Sequence, residues 1–137
     1  MEIAGPARGY DSSHSLVYCC QYHVVFCPKS RRSVLVGEIE ERLKELLLPG
    51  QHRYEYELLE REVMPDHVHL LLSVSPQVGV GPVVGRIKGW TAHVLRSEFP
   101  ALKSRLPSLW TRSKFISTVG AVTLEVVKRY IEDQKGR

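Results

Sequence analysis

The chain has 137 residues, 43% of them hydrophobic and 25% charged, enough for one buried core and with no biased tract that would point to a disordered or fibrous protein. No apolar run approaches the roughly 20 residues that cross a bilayer, so no membrane span is expected. A formal net charge of +4 and a pI near 9.1 favour an anionic partner without identifying one.

Residues 1–15, MEIAGPARGYDSSHS, carry neither the apolar stretch of a secretory signal nor a periodic pattern. They are expected to be a flexible leader to a single domain spanning 16–137, in a protein that stays in the cytoplasm. From Leu16 to Cys27 the even positions Tyr18, Cys20, Tyr22, Val24 and Phe26 are mostly apolar, while the odd ones include Gln21 and His23. That is the period of a strand with two unlike faces. Cys19 and Cys20, adjacent on such a strand, point to opposite faces, and no C-x-x-C partner follows Cys27, so reduced thiols are expected.

Pro28 and the basic turn of Lys29, Arg31 and Arg32 end that strand. Glu38–Leu48 places Ile39, Leu43, Leu46 and Leu47 at helical spacing, and Pro49 with Gly50 stops it. Arg53–Val63 and His67–Val74 read as two strands joined through Met64, Pro65 and Asp66. Pro82 suits the first position of a helix over Val83–Phe99, with a stripe of Val83, Ile87, Trp90, Val94 and Leu95. Pro100 and Pro107 bracket an irregular basic connection. Phe115–Val119 follows as a short strand, Gly120 as a turn, and a last helix runs from Thr123 as N-cap to Gln134. The order β-α-β-β-α-β-α predicts an α+β, ferredoxin-like (RRM-like) fold: an antiparallel sheet with helices packed on one face, plus a C-terminal helix.

The segment MPDHVHLLL carries the most chemistry. His67 and His69, two apart on a strand, share one face, while Val68, Leu70 and Leu72 take the other. Two such imidazoles can converge on a divalent ion, although a pair of histidines on a strand is also ordinary surface or core. Tyr130 and Gln134, four apart on the last helix, share a face beside the stripe of Leu124, Val127 and Ile131. By themselves they are more often an edge-of-core tyrosine and a solvated amide. Taken together the four make a site: a phenol is a poor nucleophile at neutral pH, and a cation on a phosphodiester would favour its phenolate and offset developing charge. Mg²⁺ or Mn²⁺ suits that role, Mn²⁺ better with imidazoles.

The chain resembles the single-tyrosine transposases of bacterial and archaeal insertion sequences, members of the His-hydrophobic-His nuclease superfamily. The resemblance runs from Tyr18 to Gln134 and rests on YHVVFCPKSRRSVLVGEI, EVMPDHVHLLL, RIKGWTAHVLRSEFP, LWTRSKFISTVG and VVKRYIEDQ, in that order and spacing. It implies that His67 and His69 are the metal pair, that Gln134 is the third ligand, and that Tyr130, on the C-terminal helix, is the nucleophile. It further implies a homodimer that recognises hairpins at element ends and cuts single-stranded DNA. A 5′-phosphotyrosine link would form and be rejoined without any nucleotide cofactor. Two departures concern substrate contacts: many relatives have an aromatic residue where this chain has Lys114, and the stretch Leu48–Arg53 is shortened.

Lys29, Arg31, Arg32, Arg86, Lys88 and Arg112 are the candidate DNA contacts, each equally compatible with plain solvated surface. A domesticated relative acting on dispersed repeat hairpins shares the same chemistry. A non-catalytic module that stacks single-stranded nucleic acid on Tyr18, Tyr22, Tyr54 or Tyr56 needs neither metal nor Tyr130.

Overall fold

The computed structural model describes residues 11–13, 16–120 and 124–137. Asp11–Ser13 (β1) and Leu16–Tyr18 (β2) form a small antiparallel pair. The expected long strand therefore divides: β2 lies outside the main sheet, Cys19 and Cys20 belong to no strand, and Gln21–Phe26 (β3) continues alone. Asp11–Ser13, expected within the leader, are instead the strand that pairs with β2.

After β3 come a single 3₁₀ turn at Lys29–Arg31, the helix Gly37–Leu47 (α1) and a short helix Gly50–Tyr54 (α2). The expected strand start at Arg53 is thus corrected. Glu55, at φ 58°, turns the chain left-handed to close α2, and the strand Glu57–Met64 (β4) begins only then. Gly50 is required there by close approach, since a Cβ would meet the Tyr56 hydroxyl and the Trp90 ring. His67–Ser73 (β5) returns antiparallel to β4.

Val80–Glu98 (α3) starts three residues before the expected position, so Pro82 is its third residue. The connection expected to be irregular contains a helix, Pro100–Arg105 (α4), with Pro100 at its first position and Leu102 buried. Phe115–Thr118 (β6) and Leu124–Asp133 (α5) complete the chain. The expected cap at Thr123 lies outside the described residues.

The sheet order is β4-β5-β3-β6, all antiparallel, as a ferredoxin-like arrangement requires. One face is the main core. Val24 and Phe26 of β3 with Val68, Leu70 and Leu72 of β5 are buried against Leu43, Leu46 and Leu47 of α1 and Val83, Val84, Ile87 and Leu95 of α3. Trp110 stands edge-on to Phe26, with ring centroids 4.7 Å apart, a favoured aromatic geometry. The opposite face carries α5 and the residues described next.

Candidate active site

Residues directly opposite one another in an antiparallel pair project to the same face. Val25 pairs with His69 on one side and with Phe115 on the other. That places the odd residues of β3, both histidines of β5 and Phe115 together, away from the main core. α5 lies over this face: Val25 and Val127 are buried against each other, with Phe115, Tyr130 and Ile131 packed around them.

His67 is half-buried, and its Nδ1 lies 2.8 Å from Oδ1 of Asp66. A carboxylate only accepts, so Nδ1 donates and the lone pair of the neutral ring falls on Nε2. His69 is 5% exposed. Burial, followed by the nearby His23, pulls its pKa down to about 4. It is neutral at pH 7, the form that can bind a cation.

Tyr130 is half-buried with its ring centroid 5.4 Å from that of Phe115. Its hydroxyl is 3.0 Å from Oγ of Ser113. Burial raises the phenol pKa, and the Ser113 hydrogen bond opposes the rise. Ser113 is itself held from below: the Lys88 ammonium donates to the carbonyls of Thr111 (2.7 Å) and Ser113 (3.0 Å). Burial, with Lys114 adding repulsion, lowers the Lys88 pKa to about 8.

Gln134 follows α5 directly and is 2% exposed. Its Oε1 is buried with no hydrogen-bond donor among the described residues. An amide oxygen in that state is expensive unless something electropositive meets it. Among the described residues, no group of three His, Cys, Asp or Glu side chains could hold a metal ion. A cation on the two imidazoles would therefore take its further protein ligand from another donor type, and an orphaned amide oxygen fits that requirement.

The turn Lys29–Arg31 connects the two halves of the site. Arg31 pairs with Asp66, Nε to Oδ2 at 3.3 Å, and Nη1 donates to the Ile131 carbonyl at 3.4 Å. The backbone N–H of Ser30 also donates to the Arg137 carbonyl. Ser30 and Arg31 adopt positive φ, 57° and 53°, an unfavoured conformation for residues with a side chain and one often found where function fixes the backbone. Cys27, fully buried on this face, is pushed to about 12 by burial and by Asp66, and stays a thiol.

A family model described as "Transposase IS200 like" matches residues 16–134. The ISDra2 transposase TnpA of Deinococcus radiodurans is 40% identical over 129 residues, covering 93% of this chain and 88% of that protein. A transposase crystal structure from Deinococcus radiodurans R1 superposes with a TM-score of 0.84 at 36% identity, covering 93% of this chain and 99% of the other. The chain belongs to the IS200-like transposase family. A REP-associated tyrosine transposase, solved bound to a REP hairpin, shares the fold at a TM-score of 0.56 and 13% identity, over 82% of this chain and 62% of that one.

An IS200-like transposase cleaves DNA and transfers strands, and the basic side chains of this one are placed unequally. Arg32, Arg86 and Arg112 are exposed, and Lys29 is half-buried. Arg31 and Lys88 are spent on internal partners. Lys114 reaches the Gly81 carbonyl at 3.3 Å, and the stretch 48–53, expected to be shortened, holds all but the last residue of α2. The stacking tyrosines of a binding module are largely committed: Tyr56 is buried and donates to the Leu47 carbonyl at 2.6 Å. Tyr54 packs edge-on against Trp90, and Tyr22 lies against the main core. The three cysteines are free thiols, and no described helix is long and apolar enough to cross a membrane.

Sequence reasoning assigned no role to His23, Asp66 or Ser113. His23 was visible as a polar residue on the strand face shared with His69. Asp66 adjoins His67 but reads as part of a turn, and Ser113 carries no signal at all, because its contact with Tyr130 is purely tertiary.

Proposed function

We propose that this IS200-like transposase cuts and rejoins single-stranded DNA at the ends of its insertion sequence through Tyr130, with Mg²⁺ or Mn²⁺ held by His67, His69 and Gln134. The observation that carries the reading is the burial of Gln134 with an Oε1 unmet among the described residues, directly after the helix that carries Tyr130 and covers the face bearing both histidines. The bound ion would supply charge neutralisation at the scissile phosphate.

Tyr130 Oη attacks phosphorus, forming an O–P bond as the bond to the 3′-oxygen breaks. The phenolic proton leaves to solvent, and the departing 3′-oxygen takes up a proton to become a 3′-OH. The 5′-phosphotyrosine keeps the energy of the broken linkage, so attack by a 3′-OH reseals DNA with no nucleotide cofactor. Asp66 orients His67, Ser113 holds the phenol, and Arg31 ties the helix of Tyr130 to the carboxylate beside His67. A hairpin-bearing strand is the proposed substrate, by analogy with the hairpin carried by the REP-associated relative, and a homodimer is the proposed assembly.

Labelled single-stranded DNA from the element's end, incubated with the protein and Mn²⁺, should give a denaturant-resistant adduct that maps to Tyr130. Tyr130→Phe should lose the adduct and keep DNA binding, and chelation should abolish the adduct until Mn²⁺ is restored. An adduct persisting in Tyr130→Phe would end this assignment.

A further inference from the structure

His23 is buried more deeply than His67 or His69, at 1% exposure, and has no part in the chemistry above. On β3 it stands opposite Leu71 of β5, one step along the same face from His69. Its Nδ1 lies 3.1 Å from Nε2 of His69, with ring centroids 5.2 Å apart. Its own Nε2 is buried without a hydrogen-bond partner among the described residues. A side chain that leaves a polar atom unmet in the interior is a poor packing choice beside an apolar one of similar size. The contact with His69 is what distinguishes it.

A neutral imidazole carries one N–H and one lone pair, so in this contact one ring donates and the other accepts. A ring that holds a cation through one nitrogen bears its proton on the other, and the partner of that N–H sets both orientation and tautomer. His67 already shows the pattern: Nδ1 is committed to Asp66, which leaves Nε2 free. For His69 the commitment is reversed. Nε2 faces His23, so Nδ1 is the nitrogen left for a ligand. With His69 donating from Nε2 to Nδ1 of His23, the proton of His23 sits on its own Nε2.

We infer that His23 is a positioning residue for His69: it holds the ring by Nε2 and selects the tautomer in which Nδ1 faces the cation site. The inference rests on the metal reading above, and its test separates the two. Mn²⁺ would be titrated into the full chain and followed by electron paramagnetic resonance, in wild type, His23→Val and His23→Asn. The asparagine amide places a polar atom near the position of Nδ1. The His69 tautomer would be read in metal-free protein by ¹⁵N NMR, and melting temperatures would report on folding.

Expected are a single His69 tautomer protonated at Nε2, affinity weaker by about 10–100-fold in His23→Val, and recovery of most of that loss in His23→Asn. Unchanged affinity in His23→Val, a folded His23→Asn that rescues nothing, or a mixed His69 tautomer in wild type would overturn the inference. So would spectral couplings showing His23 itself bound to the ion. Failure of wild type to bind Mn²⁺ would overturn the metal reading instead, and the metal-free tautomer would still decide the contact between the two histidines.

Discussion

Arg31 and Asp66 form an ion pair, 3.3 Å from Nε to Oδ2, between the turn that anchors α5 and the residue that orients His67. The same guanidinium donates to the Ile131 carbonyl. Arg31→Met should therefore behave as a site mutation. We expect about 1 kcal/mol of lost stability and cleavage slowed on the order of 10–100-fold, as displacement of a reacting group produces. Exposed Arg32, Arg86 and Arg112 should behave differently, each alanine lowering the slope of log affinity against log salt by about 1 if it meets a phosphate. Salt-dependent binding and single-turnover cleavage measured together separate the classes. If Arg31→Met lowered the salt slope and left cleavage intact, Arg31 would belong with the phosphate contacts.

Ser113→Ala removes the hydrogen bond that holds the Tyr130 phenol down. Burial already raises that pKa and the serine counteracts it, so the variant's pKa should rise further. Ultraviolet titration, with Tyr130→Phe as the blank, reads this directly. The alkaline rise in cleavage rate should move to higher pH by the same amount. A phenol that titrates identically in both proteins would show the serine to be a bystander.

Gln134→Leu should produce opposite effects with and without metal. In metal-free protein it removes a buried acceptor with no donor among the described residues, and melting should rise by roughly 3 °C for about 1 kcal/mol. Mn²⁺ affinity should fall at the same time. A variant that melts lower without metal would show that Oε1 already has a partner in the native state.

Lys88 gives a pH signature. Its folded pKa, lowered to about 8 by burial, lies below the ordinary lysine value near 10.4. Between those values the unfolded chain keeps a proton that the folded chain has released, so this group's contribution makes stability rise with pH across that window. The neutral amine still donates to the Thr111 and Ser113 carbonyls. Thermal melts of wild type and Lys88→Met from pH 7 to 10 should show their difference shifting in favour of wild type above pH 8. A difference that stays constant would mean that Lys88 keeps its ordinary pKa in the folded protein.

The sequence made some of this readable and left the rest hidden for physical reasons. The alternation of Val24 and Phe26 against Gln21 and His23, and of Val68, Leu70 and Leu72 against His67 and His69, marked both faces of the sheet, because burial imposes the period. The split of the first strand was not legible: β2 pairs with Asp11–Ser13, a segment whose sequence carries no strand period. Nor was α4, whose flanking prolines read as breakers, although Pro100 in fact starts it. The spacing of Tyr130 and Gln134 brought them to the same end of the chain, although α5 closes at Asp133, one residue before Gln134. The contacts of Arg31 with Asp66 and of Ser113 with Tyr130 join residues distant in sequence, and no local pattern records such pairs.

The two faces of the sheet are anchored very differently. The face built on Val24, Phe26, Leu70 and Leu72 is sealed by α1 and α3, whereas among the described residues the one bearing His67 and His69 is covered by α5, whose buried contact is Val127 against Val25. Local opening follows the amount of apolar contact that must be given up, so α5 can lift away while the platform beneath it stays folded. The phenol thus travels on an element more easily detached than the sheet beneath it, and amide hydrogens of Leu124–Asp133 should exchange with deuterium well before those of Gln21–Phe26.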